Sequence, residues 1–290
     1  MIYLLLSILS STGIFLLFRS FPKWNVSTFP AIIINYLVAM ACGIAMLSDD
    51  FHIKDQLGEP WLQGGLIVGC LFISLFYLMA YTAQKIGVAV SSMATKMSMV
   101  IPVAWFMITD PNDPFSRLKT AGVVLAIASV IFTSGKSQTE GIKSKYLLFP
   151  LIIFIGSGII DLVIGHFSEG HLSERNQQYL FTSAPFFTSG VLGILFLSIG
   201  AALGKTKVNI NAATVLWGSV LGLVNFASIF FLVNTFEVRL MERSAIIPIN
   251  NLGIIMLSAI LASIIFKEQF TREKILGIAL AVVAIALVSM

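Results

Sequence analysis

Ser244-Ala-Ile-Ile-Pro-Ile-Asn-Asn-Leu-Gly253 opens the last part of the chain, and an apolar run carries on from it to Phe266. The charged turn Lys267-Glu-Gln-Phe-Thr-Arg-Glu-Lys274 follows, then a second apolar run to Met290. Each run is long enough to cross a hydrocarbon core of about 30 Å as a helix. The same pattern occurs once before. At an offset of 155 positions, Phe115-Ser-Arg-Leu-Lys-Thr-Ala-Gly122 lies over Phe270-Thr-Arg-Glu-Lys-Ile-Leu-Gly277 without a gap. Leu125/Leu280, Ala126/Ala281 and Ser134/Ser289 coincide as well, and Lys96 falls on Asn251. An internal repeat in an apolar chain predicts a membrane protein built from two copies of one unit.

Composition agrees. The 290 residues are 57% apolar and 11% charged, with a mean hydropathy of +0.94, which excludes an ordinary soluble domain. The charges gather in short clusters between apolar runs, as expected when ions are kept out of lipid. The basic balance therefore describes membrane edges and gives no ground for a nucleic-acid partner. Cys42 and Cys70 both fall inside apolar runs and read as reduced packing residues. The stretch from Met1 to Phe18 is apolar from its first residue and reads as a first membrane helix rather than a cleaved signal.

The hydropathy pattern predicts ten spans, at about 1–19, 28–48, 61–84, 88–109, 115–134, 145–165, 177–201, 211–234, 240–266 and 271–290. The segment from Lys136 to Lys145 joins two halves, 1–134 and 145–290, of five spans each. An odd number of spans per copy forces the second copy to enter the membrane inverted. The expected fold is an all-α membrane protein of two inverted five-helix repeats, the plan of carriers with alternating access. Spans three and eight each open on a GxxxG, Gly65/Gly69 and Gly218/Gly222, which reads as close helix packing.

Polar residues inside spans mark the candidate site, because their burial in lipid is costly. Lys96 lies about eight residues into span four, near mid-depth at 1.5 Å per residue. It suits a carboxylate or phosphate; the structural alternatives are snorkelling or a pair with Asp161. Asn251 is its equivalent in span nine, beside Asn250, and the preceding Pro248 predicts a local break in that helix. Asn35, Tyr77, Tyr81 and Asn225 extend the polar lining, with Tyr36 and Asn234 as further members. Asp161, in the outer part of span six, is the candidate coupling group. His166 near the end of that span reads as interfacial, and with His171 it makes a poor metal site. Trp24, Trp61 and Trp217 at span edges read as interfacial anchors. No HExxH, Walker-type or GxSxG signature occurs, so no enzyme activity and no cofactor are expected.

These features together resemble the drug/metabolite transporter superfamily, specifically its EamA-like ten-helix carriers. The resemblance rests on five-span copies with Pro102 and Pro248 in the fourth span of each. It rests also on a polar turn opened by an acid (Asp113, Glu268), and on Gly122 or Gly277 opening a helix of small residues. It implies a multi-pass protein of the inner membrane, monomeric, moving a small polar or anionic metabolite such as an amino acid. A sugar-phosphate or nucleotide-sugar exchanger of the same superfamily is the alternative, and a non-transporting receptor or enzyme is the other class. The membrane-embedded acid of the small multidrug members has no counterpart in span one, which offers only Ser7, Ser10, Ser11 and Thr12. On orientation two arguments stand apart. The basic residues put the connector from Lys136 to Lys145 in the cytoplasm and both termini outside, whereas the superfamily's usual arrangement has both termini inside.

Overall fold

The computed structural model describes residues 1–109, 116–134, 148–168, 174–204, 210–238 and 243–289. The turn at Asp113, the Lys136–Lys145 connector and His171 lie outside them. Among the described residues every regular element is helical. The order is α1 (Ile2–Ser20), α2 (Thr28–Ile44), a short 3-10 turn (Ile53–Gln56), α3 (Pro60–Lys85), α4 (Val88–Met97) and α5 (Val100–Thr109). There follow α6 (Arg117–Ser134), α7 (Leu148–Ser168), α8 (Arg175–Ala202), α9 (Ala212–Val238), α10 (Arg243–Phe266) and α11 (Arg272–Val288). Six apolar stretches, the paired α4–α5 counted as one, are long enough to cross a membrane, and α2 and the body of α7 are shorter apolar helices. By length and composition the chain is a multi-pass membrane protein.

The helices start and stop where local chemistry allows. Asn211 Oδ1 accepts from Thr214 N–H at 2.7 Å to begin α9, and Thr271 Oγ1 accepts from Lys274 N–H at 3.3 Å to begin α11. Glu174 and Gln177 form a capping box at the start of α8. Each satisfies amides that a helix N-terminus otherwise leaves open.

Packing divides the chain into two compact units that cut across the sequence halves. One unit takes residues 1–19, 78–161 and 228–290; the other takes 20–77 and 162–227. The helices α3 and α9 each supply residues to both. In the first unit α6 packs on α11 and α4 on α10. In the second, α2 packs on α8. Trp61, 2% exposed, packs there with Leu62, Leu180, Phe181 and Ala184. Trp61 is thus a core residue and not an interfacial anchor, because it opens α3 on the face turned to α8. Trp24 and Trp217 stack on each other with ring centroids 4.0 Å apart. Both cysteines are free, and Cys70 is exposed rather than packed inside.

The glycines record how close these helices come. A Cβ at Gly65 would meet Phe181 and Ala184 of α8, the nearer at 3.0 Å, and one at Gly69 would meet Pro185 and Thr188, at 2.6 Å. On α9, Gly218 faces Ala31 and Ile34 of α2, and Gly222 faces Asn35 and Val38. Gly122 of α6 faces Ala284 and Val288 of α11, while Gly277 of α11 faces Ser129 and Thr133 of α6. The contacts of Gly122 and Gly277 are reciprocal: Ser129 and Thr133 are the repeat partners of Ala284 and Val288; at the GxxxG pairs, offset by 153 positions, Ala31 corresponds to Ala184 and Asn35 to Thr188. Backbone approach of this kind is what small residues in membrane helices permit.

Candidate functional site

The site is built around an interruption. The apolar run from Val88 to Thr109 is two helices, with a turn at Ser98 and Met99. Pro102 causes it. A proline has no N–H for the carbonyl four residues back, and its ring crowds that carbonyl; here the carbonyl is that of Ser98. Ile101 N–H takes over, donating to Ser98 O at 2.9 Å, and the tighter turn closes α4 and restarts the chain as α5. The interruption expected at Pro248 is not found, since α10 runs unbroken through it. The carbonyl that Pro248 would crowd belongs to Ser244, in the first turn of α10, where little helix precedes it.

Breaking a helix frees backbone groups, and buried ones need partners. Asn251 supplies one. Its Nδ2 lies 3.3 Å from Lys96 O and 3.2 Å from Met99 Sδ, so a side chain of α10 repairs the end of α4. Ser98 Oγ lies 2.6 Å from Thr95 O and 3.1 Å from Asp161 Oδ2, with one proton for two acceptors. The Lys96 side chain is half-buried. Lys96 and Asp161 act on each other through their charges without the direct ion pair weighed from the sequence. A cation, a carboxylate, a serine hydroxyl and two asparagines thereby come together at one helix break. Asn250 and Asn251 are 2% and 7% exposed, and Asn250 Oδ1 has no hydrogen-bond partner.

Spare hydrogen-bonding capacity is concentrated in the same unit. Among the described residues, the buried side-chain atoms without a partner are Thr12 Oγ1, Thr82 Oγ1, Asn250 Oδ1, Ser258 Oγ and Glu268 Oε2, and all belong to it. Tyr81 is in this unit too, edge-on to Phe149 with ring centroids 5.6 Å apart. Asn234 Nδ2 donates within its own helix to Phe230 O at 2.8 Å. His166 is exposed in the last turn of α7.

Four of the expected lining residues belong to the other unit. Asn225 Nδ2 donates to Asn35 Oδ1 at 3.1 Å, which joins α9 to α2 inside a packed core. The neighbouring Tyr36 donates to Phe72 O at 2.9 Å. Tyr77 is 42% exposed and meets Phe29 edge-on. Asn35 and Asn225 thus pair with each other, as interhelical hydrogen bonds do. Ser98 and Met99 were missed in the sequence, although the position of Pro102, four residues on, was the available sign.

Fold and site together define a multi-pass helical membrane protein with a polar, charged helix break inside an apolar run. No protein-family model matches the chain. It is similar to an uncharacterized protein of Haemophilus influenzae, 26% identical over 97% of this chain and 95% of that one. It is also similar in fold to a protein of known crystal structure, with a TM-score of 0.56 at 15% identity, over 97% of this chain and 95% of that one.

Proposed function

We propose that the chain is a secondary carrier of the inner membrane, of the EamA-like type, which moves a small polar or anionic, amino-acid-like metabolite. Two inverted five-helix halves, ten spans in all, expose one site alternately to each side. The observation that carries this reading is the hydrogen bond between Asn251 and Lys96, which are 155 positions apart, the offset of the sequence repeat. A residue that touches its own repeat partner lies beside a two-fold axis, as in an isologous contact between identical subunits. The reciprocal contacts of Gly122 and Gly277, at the same offset and in the same unit, support that axis. On this reading Lys96 engages the substrate carboxylate, Asp161 a substrate amine or a coupling ion, and Asn250 lends an open acceptor.

The test is uptake of a panel of radiolabelled amino acids into proteoliposomes. Wild-type protein should take up at least one. Lys96→Met should lose that uptake while its melting temperature, followed by circular dichroism, stays within a few degrees. Lys96→Arg should be impaired as well, because a planar guanidinium does not replace a point charge. Unchanged uptake in Lys96→Met would overturn the assignment of Lys96, and so would rescue by a double replacement of Lys96 and Asp161.

A further inference from the structure

The helix that carries Lys96 begins at an unusual junction. Ile86 N–H and Gly87 N–H both donate to Thr82 O, at 2.8 and 3.0 Å, which closes the C-terminus of α3. Gly87 is at once the N-cap of α4, so only Ile86 and Gly87 separate the two helices. Its φ of +142° is open only to glycine, and an added Cβ would lie 2.7 Å from Glu268 Oε2. A turn this tight leaves α3 with open carbonyls and α4 with open amides, too close for either helix to cap the other.

Two charged residues from elsewhere in the same unit complete it. Arg19, at the end of α1, donates from Nη1 to Ala83 O and Gln84 O, in the last turn of α3. Gln84 Nε2 returns a hydrogen bond to Phe18 O at 3.0 Å. Glu268 Oε1 accepts from Val88 N–H, the first amide of α4, at 2.9 Å. The two caps face each other, with Arg19 Nε 4.0 Å from Glu268 Oε1, and the buried Lys274 adds a second cation acting on the carboxylate. Each charge sits at the helix end that favours it, cation at a C-terminus and anion at an N-terminus. Glu268 is itself held in place. Its N–H donates to Ala262 O at 3.3 Å, across Lys267, whose φ of 55° is left-handed.

We propose that Arg19 and Glu268 are positioning residues for α4 and, through it, for Lys96. The helix has only ten residues, Val88 to Met97. Glu268 fixes its first amide and Asn251 accepts the task at its far end, on the Lys96 carbonyl. Both anchors come from α10 or the turn just after it, so α4 is held by the second sequence half rather than by α5, from which the break separates it. The functional consequence rests on the carrier reading of Lys96; the anchoring does not, and its test needs no transport.

Hydrogen–deuterium exchange on the full-length protein in detergent measures it. In Glu268→Ala the α4 amides should exchange about tenfold faster or more, while α6 and α11 keep wild-type rates. Glu268→Gln, which keeps an acceptor oxygen and drops the charge, should give an intermediate increase and carries the test if the alanine variant does not fold. A second readout places a single cysteine at Lys96→Cys in a chain with Cys42→Ser and Cys70→Ser. Adding Glu268→Gln should change its rate of reaction with N-ethylmaleimide by about threefold or more. Unchanged α4 exchange would overturn the proposal, as would an unchanged thiol rate. Uniform acceleration across α4, α6 and α11 would overturn it too, since Glu268 would then be a general stabiliser. A failed uptake panel with altered α4 exchange would instead count against the carrier reading alone.

Discussion

The α4–α5 run and α10, which lie over each other at the 155-residue offset of the sequence, have opposite characters. The first is broken into α4 and α5, bears the cation Lys96, and leaves a carbonyl free. The second is the continuous α10, bears Asn251 at the equivalent position, and fills that carbonyl. Both contain a proline. What differs is how much helix precedes it: Pro102 reaches back to a carbonyl in the middle of an apolar run, and Pro248 to one in the first turn. Duplicated elements can thus divide labour, one yielding a site and the other repairing it.

Pro102→Ala should erase the difference most thoroughly. A proline inside a helix costs about 3 kcal/mol or more, and removing it allows α4 and α5 to join. The peptide from Ser98 to residue 102 should then gain slow-exchanging amides, and uptake should fall; a segment that exchanges as before would show that something other than Pro102 holds the break open. Asn251→Ala tests the repair. It strands the Lys96 carbonyl and should cost about 1–3 kcal/mol, read as a lower denaturation midpoint. A neutral result would mean that water or another group takes the place of the asparagine. Pro248→Ala should do least, under about 1 kcal/mol, with uptake unchanged. A loss of uptake there would restore Pro248 as a functional interruption of α10.

Much of this was legible in the sequence, for reasons that differ by element. The repeat of α6 and α11 shows because Gly122 and Gly277 keep their identity where a side chain would strike the facing helix. The equally regular pairing of α2 with α8 does not show. Gly43 meets side-chain atoms of Ser183 and Phe226 while Gly193 meets those of Ile33 and Ile73, and the facing residues share no type. Lys96, Asn251 and Asp161 stood out because charge and amide groups are costly in lipid. Glu268 showed only as the acid of a polar turn and Arg19 not at all, because a charged residue near a span edge looks the same whether it caps a helix or faces water. The break at Ser98 escaped because hydropathy is blind to backbone hydrogen bonds.

The placement of the indoles has an optical consequence. Trp24 and Trp217, stacked at an interplanar angle of 18°, and the buried Trp61 all lie in the unit without the break. Trp105, 55% exposed, is the single indole of the other unit among the chain's four. Intrinsic fluorescence therefore reports chiefly on the unit that does not contain Lys96. The stacked pair has a use of its own: two indoles this close couple their excited states, and the resulting circular dichroism couplet would follow the melting of α9 against the start of α2 while the other unit stayed dark.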